Sequence, residues 1–145
     1  KSCSIKAKVV ESDEKEGNLR KILNYGHTVG HAIESQTKYS KYMHGEAIAI
    51  GMQVEACISR KLKGMSNDEI GRQKGLFEFF NLPTALPKLD LKKLMQAMMK
   101  DKKSSGNDFV FALPKKIGRM MVKGNSFGIN VPKKIVENAL REAGK

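Results

Sequence analysis

The sequence predicts a mainly α, multi-helical domain with one short β-hairpin, and residues 1–145 read as a single unit. Three observations predict this class. Apolar residues recur at helical spacing through most of the chain. Capping residues and Gly or Pro stops punctuate those stretches at helix-length intervals. Strict alternation of apolar and polar residues is confined to one region near residues 108–124. At 145 residues the chain suffices for one core, since a domain of this size buries roughly 70% of its unfolded surface.

In order along the chain, Cys3, Ala7 and Val10 fall at i, i+4, i+7 and give a first helix, with the Val9-Val10 pair leaving a strand reading open. "DEKEG" (13–17) is an acidic link. From Asn18 the residues Leu19, Ile22, Leu23, Val29 and Ile33 form one apolar stripe, which predicts a helix running to about Gln36. "KYSKYM" (38–43) is a polar connection to "HGEAIAIGMQVEACISRKLKG", a long helix apolar on two sides, hence central, and ended by Gly64. Ser66 and Glu69 form a capping box that opens a helix to about Phe80, stopped by "NLP". Asp90 caps "LKKLMQAMMKD". The runs "DFVFALP" and "GRMMVKG", joined by a Lys115-Lys116 turn, read as the hairpin. "VPKKIVENALREAG" then starts on a proline in its first helical turn and stops on glycine.

Composition narrows the function. Forty per cent apolar and 29% charged residues suit a soluble globular protein, and no apolar run approaches the roughly 20 residues of a membrane span. The formal charge of +12 raises nucleic-acid binding, but the lysines are spread along the whole chain, without zinc-finger spacing, an RGG tract or an RNP-type strand. A pocket for a small anion explains the charge as well. The two cysteines, Cys3 and Cys57, form neither a disulfide framework nor a CxxC pair; they fit a reducing, cytoplasmic setting and read as small buried apolar residues. The eight methionines read as core filling. The chain starts on Lys1 without a signal peptide's apolar segment, and the expectation is a piece of a longer protein.

The chemistry concentrates in "NYGHTVGHAIE" (24–34). Arg20, Asn24, His27 and His31 are separated by steps of four, three and four, so on a helix they share one face. An ordinary wet face carries Lys and Glu instead. Gly26 and Gly30 each cost roughly 1 kcal/mol relative to alanine inside a helix, which implies that a neighbouring helix or a cofactor approaches the backbone there. The third histidine, His44, precedes Gly45-Glu46 at the start of the central helix. Neutral imidazole is a preferred zinc ligand, and such a grouping can converge on one cation, through two of the rings or through all three.

With "IKAKVVESDEKEGNLRKILNYGHTVGHAIE", "HGEAIAIGM" and "DKK" in this order, the chain resembles the C-terminal helical domain of the 3-dehydroquinate synthase family over essentially its whole length. The resemblance implies a lyase of the shikimate pathway that closes 3-deoxy-D-arabino-heptulosonate 7-phosphate, an anionic sugar phosphate, into 3-dehydroquinate. It implies a divalent metal, zinc or cobalt, together with NAD, in a cytoplasmic homodimer. By the same resemblance His27 and His44 are metal ligands and His31 is the substrate-side proton carrier. Lys6, Arg20 and Asn24 hold the substrate, Lys102 or Lys103 meets its phosphate, and Glu16 orients the set. The family's third ligand is a glutamate of an N-terminal domain that also carries NAD. This chain has no glycine-rich turn after a strand, so NAD is expected to bind outside it. The spacer "AIESQTKYSKYM" is slightly longer than the family pattern. Two competing readings are a related sugar-phosphate cyclase and, in a different class, a basic helical nucleic-acid-binding module.

Overall fold

A computed structural model describes residues 1–15, 17–100 and 108–144. Its helices are α1 (Ser2–Ser12), a 3-10 helix (Leu19–Asn24), α2 (His27–Gln36), α3 (His44–Lys61), α4 (Asn67–Phe79), α5 (Leu91–Lys100) and α6 (Lys133–Ala143). Four short strands lie between α5 and α6: β1 (Asp108–Phe111), β2 (Pro114–Lys116), β3 (Arg119–Met120) and β4 (Ile129–Pro132). The expected helical class stands.

Helix α3 is central for the reason its two apolar sides require. Ala47, Ile50, Val54 and Ile58 are fully buried between α2 on one side and α6 on the other. Burying each larger aliphatic side chain contributes about 1.5–3 kcal/mol. The helix starts where Glu46 turns back to accept the Met43 N–H at 2.8 Å. It ends with Arg60 and Lys61 near its negative pole, and both pair with Glu142 of α6, Lys61 Nζ at 2.8 Å. Helix α5 closes over α2 with Leu94 and Met98 buried, so part of the methionine content is indeed core filling. The Ser66–Glu69 box opens α4, and Asp90 Oδ1 accepts the Lys92 and Lys93 N–H groups at the start of α5.

The single helix expected over Asn18–Gln36 is two pieces. The chain breaks at Tyr25–Gly26, where Gly26 adopts φ +84°, a left-handed conformation that no right-handed helix continues through. Arg20 and Asn24 therefore sit in the 3-10 helix, and the four-residue polar ladder does not run along one helix face. The glycines are explained by a helix and not a cofactor. A Cβ on Gly30 would lie 2.7 Å from Ile48 Cδ1 and 3.2 Å from the Ala47 carbonyl oxygen, and one on Gly51 would overlap the Gly26 carbonyl. Helices α2 and α3 cross with backbone nearly against backbone.

Strand pairing also differs from the expected hairpin. β1 pairs antiparallel with β4, Phe109 opposite Val131 and Phe111 opposite Ile129, while β2 pairs with β3. Phe109, Phe111, Ile129 and Val131 alternate inward with matching period, so their burial favours the long-range ladder over the local one. The hairpin turn lies at Ile117–Gly118, with Gly118 at φ +81°, and not at Lys115-Lys116, which belong to β2. Pro132 ends β4 and caps α6 from outside instead of lying in its first turn. Cys3 is exposed on α1, a helix with no buried residue, and Cys57 is half-buried, so neither is the buried apolar residue expected.

Gly51→Ala is expected to destabilise the fold by about 1–3 kcal/mol or more, because the methyl group must push α2 away from α3. Gly71→Ala, whose Cβ meets nothing within 4 Å on α4, is expected to stabilise by about 0.5–1 kcal/mol. Urea denaturation of the two variants checks both signs.

Candidate metal centre

The break at Gly26 makes His27 the first residue of α2, places His31 one turn later, and leaves its partner His44 as the first residue of α3. Because the two helices cross at glycines, their first turns come together. The ring centroids of His27 and His31 are 5.4 Å apart, those of His27 and His44 5.6 Å, and those of His31 and His44 5.8 Å. One nitrogen from each ring lies within 4.8 Å of the others. The link 37–43 reaches this position with Lys38 and Tyr39 in the left-handed region, φ 52° and 55°.

The orientations of the His27 and His44 rings are set by oxygen acceptors. His27 Nδ1 lies 3.3 Å from the Tyr25 carbonyl oxygen, which can only accept, so Nδ1 carries the proton and Nε2 keeps its lone pair. His44 Nδ1 lies 3.0 Å from Glu34 Oε1. The Glu34 side chain is 8% exposed and the His44 ring 59% exposed, so the buried carboxyl is the fixed partner and the imidazole the oriented one. Carboxylate or carbonyl oxygens on the outer nitrogen of an imidazole are the usual supports of a metal-binding histidine. Burial pushes the His27 pKa below its ordinary 6.5; the Tyr25 carbonyl opposes this, while His31 and His44 add to it. A neutral imidazole is the form that binds a cation.

The donor set fits a divalent cation. An ion with nitrogen bonds of about 2.0–2.1 Å and tetrahedral geometry spaces its ligands about 3.4 Å apart, so this triangle closes with ring movements on the order of 1 Å. Three nitrogens of borderline softness suit zinc or cobalt and leave a fourth position open.

The family described as 3-dehydroquinate synthase C-terminal matches residues 1–104. The chain belongs to that family. Its 3-dehydroquinate synthase relatives include that of Syntrophotalea carbinolica, 42% identical over 98% of this chain and 38% of the relative. The relative from Nostoc sp. is 47% identical over 84% of the chain and 34% of its own length. The chain thus spans little more than a third of each. Among solved structures, 2-deoxy-scyllo-inosose synthase complexed with carbaglucose-6-phosphate, NAD+ and Co2+ superposes with a TM-score of 0.86 at 26% identity, over 97% of this chain and 40% of that one. The 2-epi-5-epi-valiolone synthase of Streptomyces hygroscopicus, at TM-score 0.74 and 21% identity, covers 94% of this chain and 36% of its own and shares the fold.

In this chain of the 3-dehydroquinate synthase C-terminal family, the structure brings His27, His31 and His44 together. Arg20 lies in the 3-10 helix before α2, its N–H donating to Asp13 Oδ2 at 2.9 Å and its guanidinium to the Glu14 carbonyl at 3.2 Å. Asn24 is half-buried at the end of the 3-10 helix, and Lys6 is exposed on α1, whose main neighbour is that 3-10 helix. Glu16, Lys102 and Lys103 lie outside the described residues. A cleft of about 420 Å³ opens beside His31 between α2 and α5, with Ser35, Gln36, Lys93 and Gln96 on its walls. Sequence reasoning missed Glu34, although it continues the spacing of His27 and His31 by one more step of three along α2.

Glu34→Gln is expected to weaken Co2+ binding about tenfold or more, since the outer-shell partner of His44 loses its charge; visible absorption of the Co2+ complex measures it. Asp13 gives a pH prediction. Its carboxyl is held below its ordinary 3.8 first by the Arg20 N–H, then by that of Asn18, against an opposing effect of burial, with the Gly17 N–H and the Arg20 charge adding to the lowering. The ionised form is therefore favoured in the folded loop, and its contribution is complete above pH 3.8 and vanishes as pH falls through the lower folded value. The Arg20 amide proton resonance is expected to titrate with a midpoint below 3.8, checked by NMR.

Proposed function

We propose that this chain forms the metal- and substrate-binding helical wall of a 3-dehydroquinate synthase, which converts 3-deoxy-D-arabino-heptulosonate 7-phosphate into 3-dehydroquinate and phosphate. The observation that carries the reading is the convergence of three imidazole nitrogens within 4.8 Å, in a chain that is 42% identical to a relative of that name. His27 and His44 would hold the cation through Nε2, their Nδ1 atoms being engaged by the Tyr25 carbonyl and Glu34. A divalent cation there supplies Lewis acidity toward adjacent substrate oxygens.

His31 is half-buried beside the cleft and accepts or returns the proton of the hydroxyl that is oxidised. Arg20 presents a planar fork suited to a carboxylate or phosphate, Lys6 a mobile point charge, and Asn24 both a donor and an acceptor for hydroxyls. Lys102 or Lys103 completes the phosphate contacts and Glu16 orients the basic set. The hydride chemistry belongs to NAD, held by residues beyond this chain. Binding and orientation by these side chains lower the barrier by fixing the sugar phosphate in a reactive pose. The excess of basic residues draws in a doubly anionic substrate.

The test joins this chain to the N-terminal segment of the Syntrophotalea carbinolica relative and follows phosphate release. Heptulosonate phosphate is expected to react and glucose 6-phosphate is not; the reverse would move the chain to another sugar-phosphate cyclase. His27→Ala is expected to abolish both metal content and turnover. His31→Ala keeps the metal and lowers turnover about 10²–10⁴-fold, the range for removal of a general acid or base. Loss of metal in His31→Ala would show that all three imidazoles coordinate.

A further inference from the structure

A carboxyl group sits in the middle of the most apolar helix of this protein, remote in sequence from every histidine. Glu55 is 0% exposed, on α3, among Val54, Ala56 and Ile58. Burying a carboxyl group in such surroundings is unfavourable unless it meets a specific donor. Its Oε2 accepts the N–H of Gly26 at 2.7 Å.

That N–H belongs to the residue on which the geometry of α2 turns. Gly26 has φ +84°, and its carbonyl accepts the Gly30 N–H at 2.9 Å, which starts the helix. The same carbonyl lies against Gly51 of α3. The preceding residue is held as firmly: the Tyr25 hydroxyl donates to the Met52 carbonyl at 2.9 Å or to Gln73 Oε1 at 2.8 Å, and burial raises its pKa well above the ordinary 10. One turn of α3, from Gly51 to Glu55, thus grips both faces of the peptide that leads into His27. The Tyr25 carbonyl in turn meets the His27 ring.

We propose that Glu55 is a positioning residue for the metal ligand His27, acting through the Gly26 peptide; the inference rests on the metal reading given above. A purely structural acid would be replaceable by an apolar side chain of the same size, since exchanging buried polar groups for well-packed apolar ones is often neutral or stabilising. Here the exchange strands the Gly26 N–H and frees the turn to relax, and the imidazole moves with it.

The experiment titrates this chain, joined to the N-terminal segment of the Syntrophotalea carbinolica relative that supplies the third ligand, with Co2+ and records the visible absorption, with Glu55→Gln, Glu55→Met and Val54→Ala compared at a temperature where circular dichroism shows each folded. The unsubstituted fusion is expected to give a Co2+ spectrum. Glu55→Gln keeps an acceptor and is expected to raise the Kd about threefold, a neutral bond being roughly half as strong as a charge-assisted one. Glu55→Met is expected to raise it about 10–100-fold with an altered spectrum, the effect usual for loss of an outer-shell partner. Val54→Ala lowers the melting temperature and leaves Kd and spectrum unchanged. A folded Glu55→Met with wild-type Kd and spectrum overturns the proposal. Should that variant not fold, Glu55→Asp decides, because its shorter arm withdraws from Gly26; an unchanged Kd there overturns the proposal equally. Absence of any Co2+ spectrum in the unsubstituted fusion would instead overturn the metal reading, and this inference with it.

Discussion

The close crossing of α2 and α3 is the constraint on which the rest of the molecule depends. Helices in globular proteins usually pack with axes 8–10 Å apart, a distance set by the side chains between them. Here Gly26, Gly30 and Gly51 remove those side chains at the crossing, and the Gly26 carbonyl rests directly against α3. Steric repulsion rises so steeply with distance that one methyl group would separate the elements. The shared location of the three imidazoles is therefore a consequence of backbone sterics before it is one of metal chemistry.

Electrostatics then act on a geometry already in place. The chain carries a formal charge of +12, yet the groups that touch the imidazole cluster are oxygen acceptors: the Tyr25 carbonyl on His27 and the Glu34 carboxyl on His44. On His27 burial acts against the Tyr25 carbonyl and prevails, disfavouring the protonated form. Each acceptor engages Nδ1 and leaves Nε2 of the same ring available, while the positive charge is distributed along the whole chain.

Much of this was legible in the residues, and what was not has definite physical causes. The Ser66–Glu69 box and the Asp90 cap are local hydrogen-bonding patterns and were read correctly, as was the centrality of the helix beginning at His44. The break at Gly26 escaped because a glycine inside an apolar 3.6-residue pattern signals close approach and a left-handed turn with the same letter. The β1–β4 pairing escaped because alternation in Phe109 and Phe111 specifies a buried face but not its partner, which lies beyond an intervening hairpin. Glu34 and Glu55 escaped because a single acidic residue on a helix usually faces water, and only the packed structure shows each one turned inward. The histidine grouping was visible, although its four-residue polar ladder was not one helix face.

Placing both His27 and His44 on the opening residue of a helix has an evolutionary consequence. The segment 37–43 can lengthen or shorten without displacing either ring, because each is indexed to the crossing of its own helix and not to the loop that joins them. The left-handed pair Lys38 and Tyr39 turns the tether back between the two helices. The crossing is far less tolerant, since a side chain at Gly51 would overlap the Gly26 carbonyl.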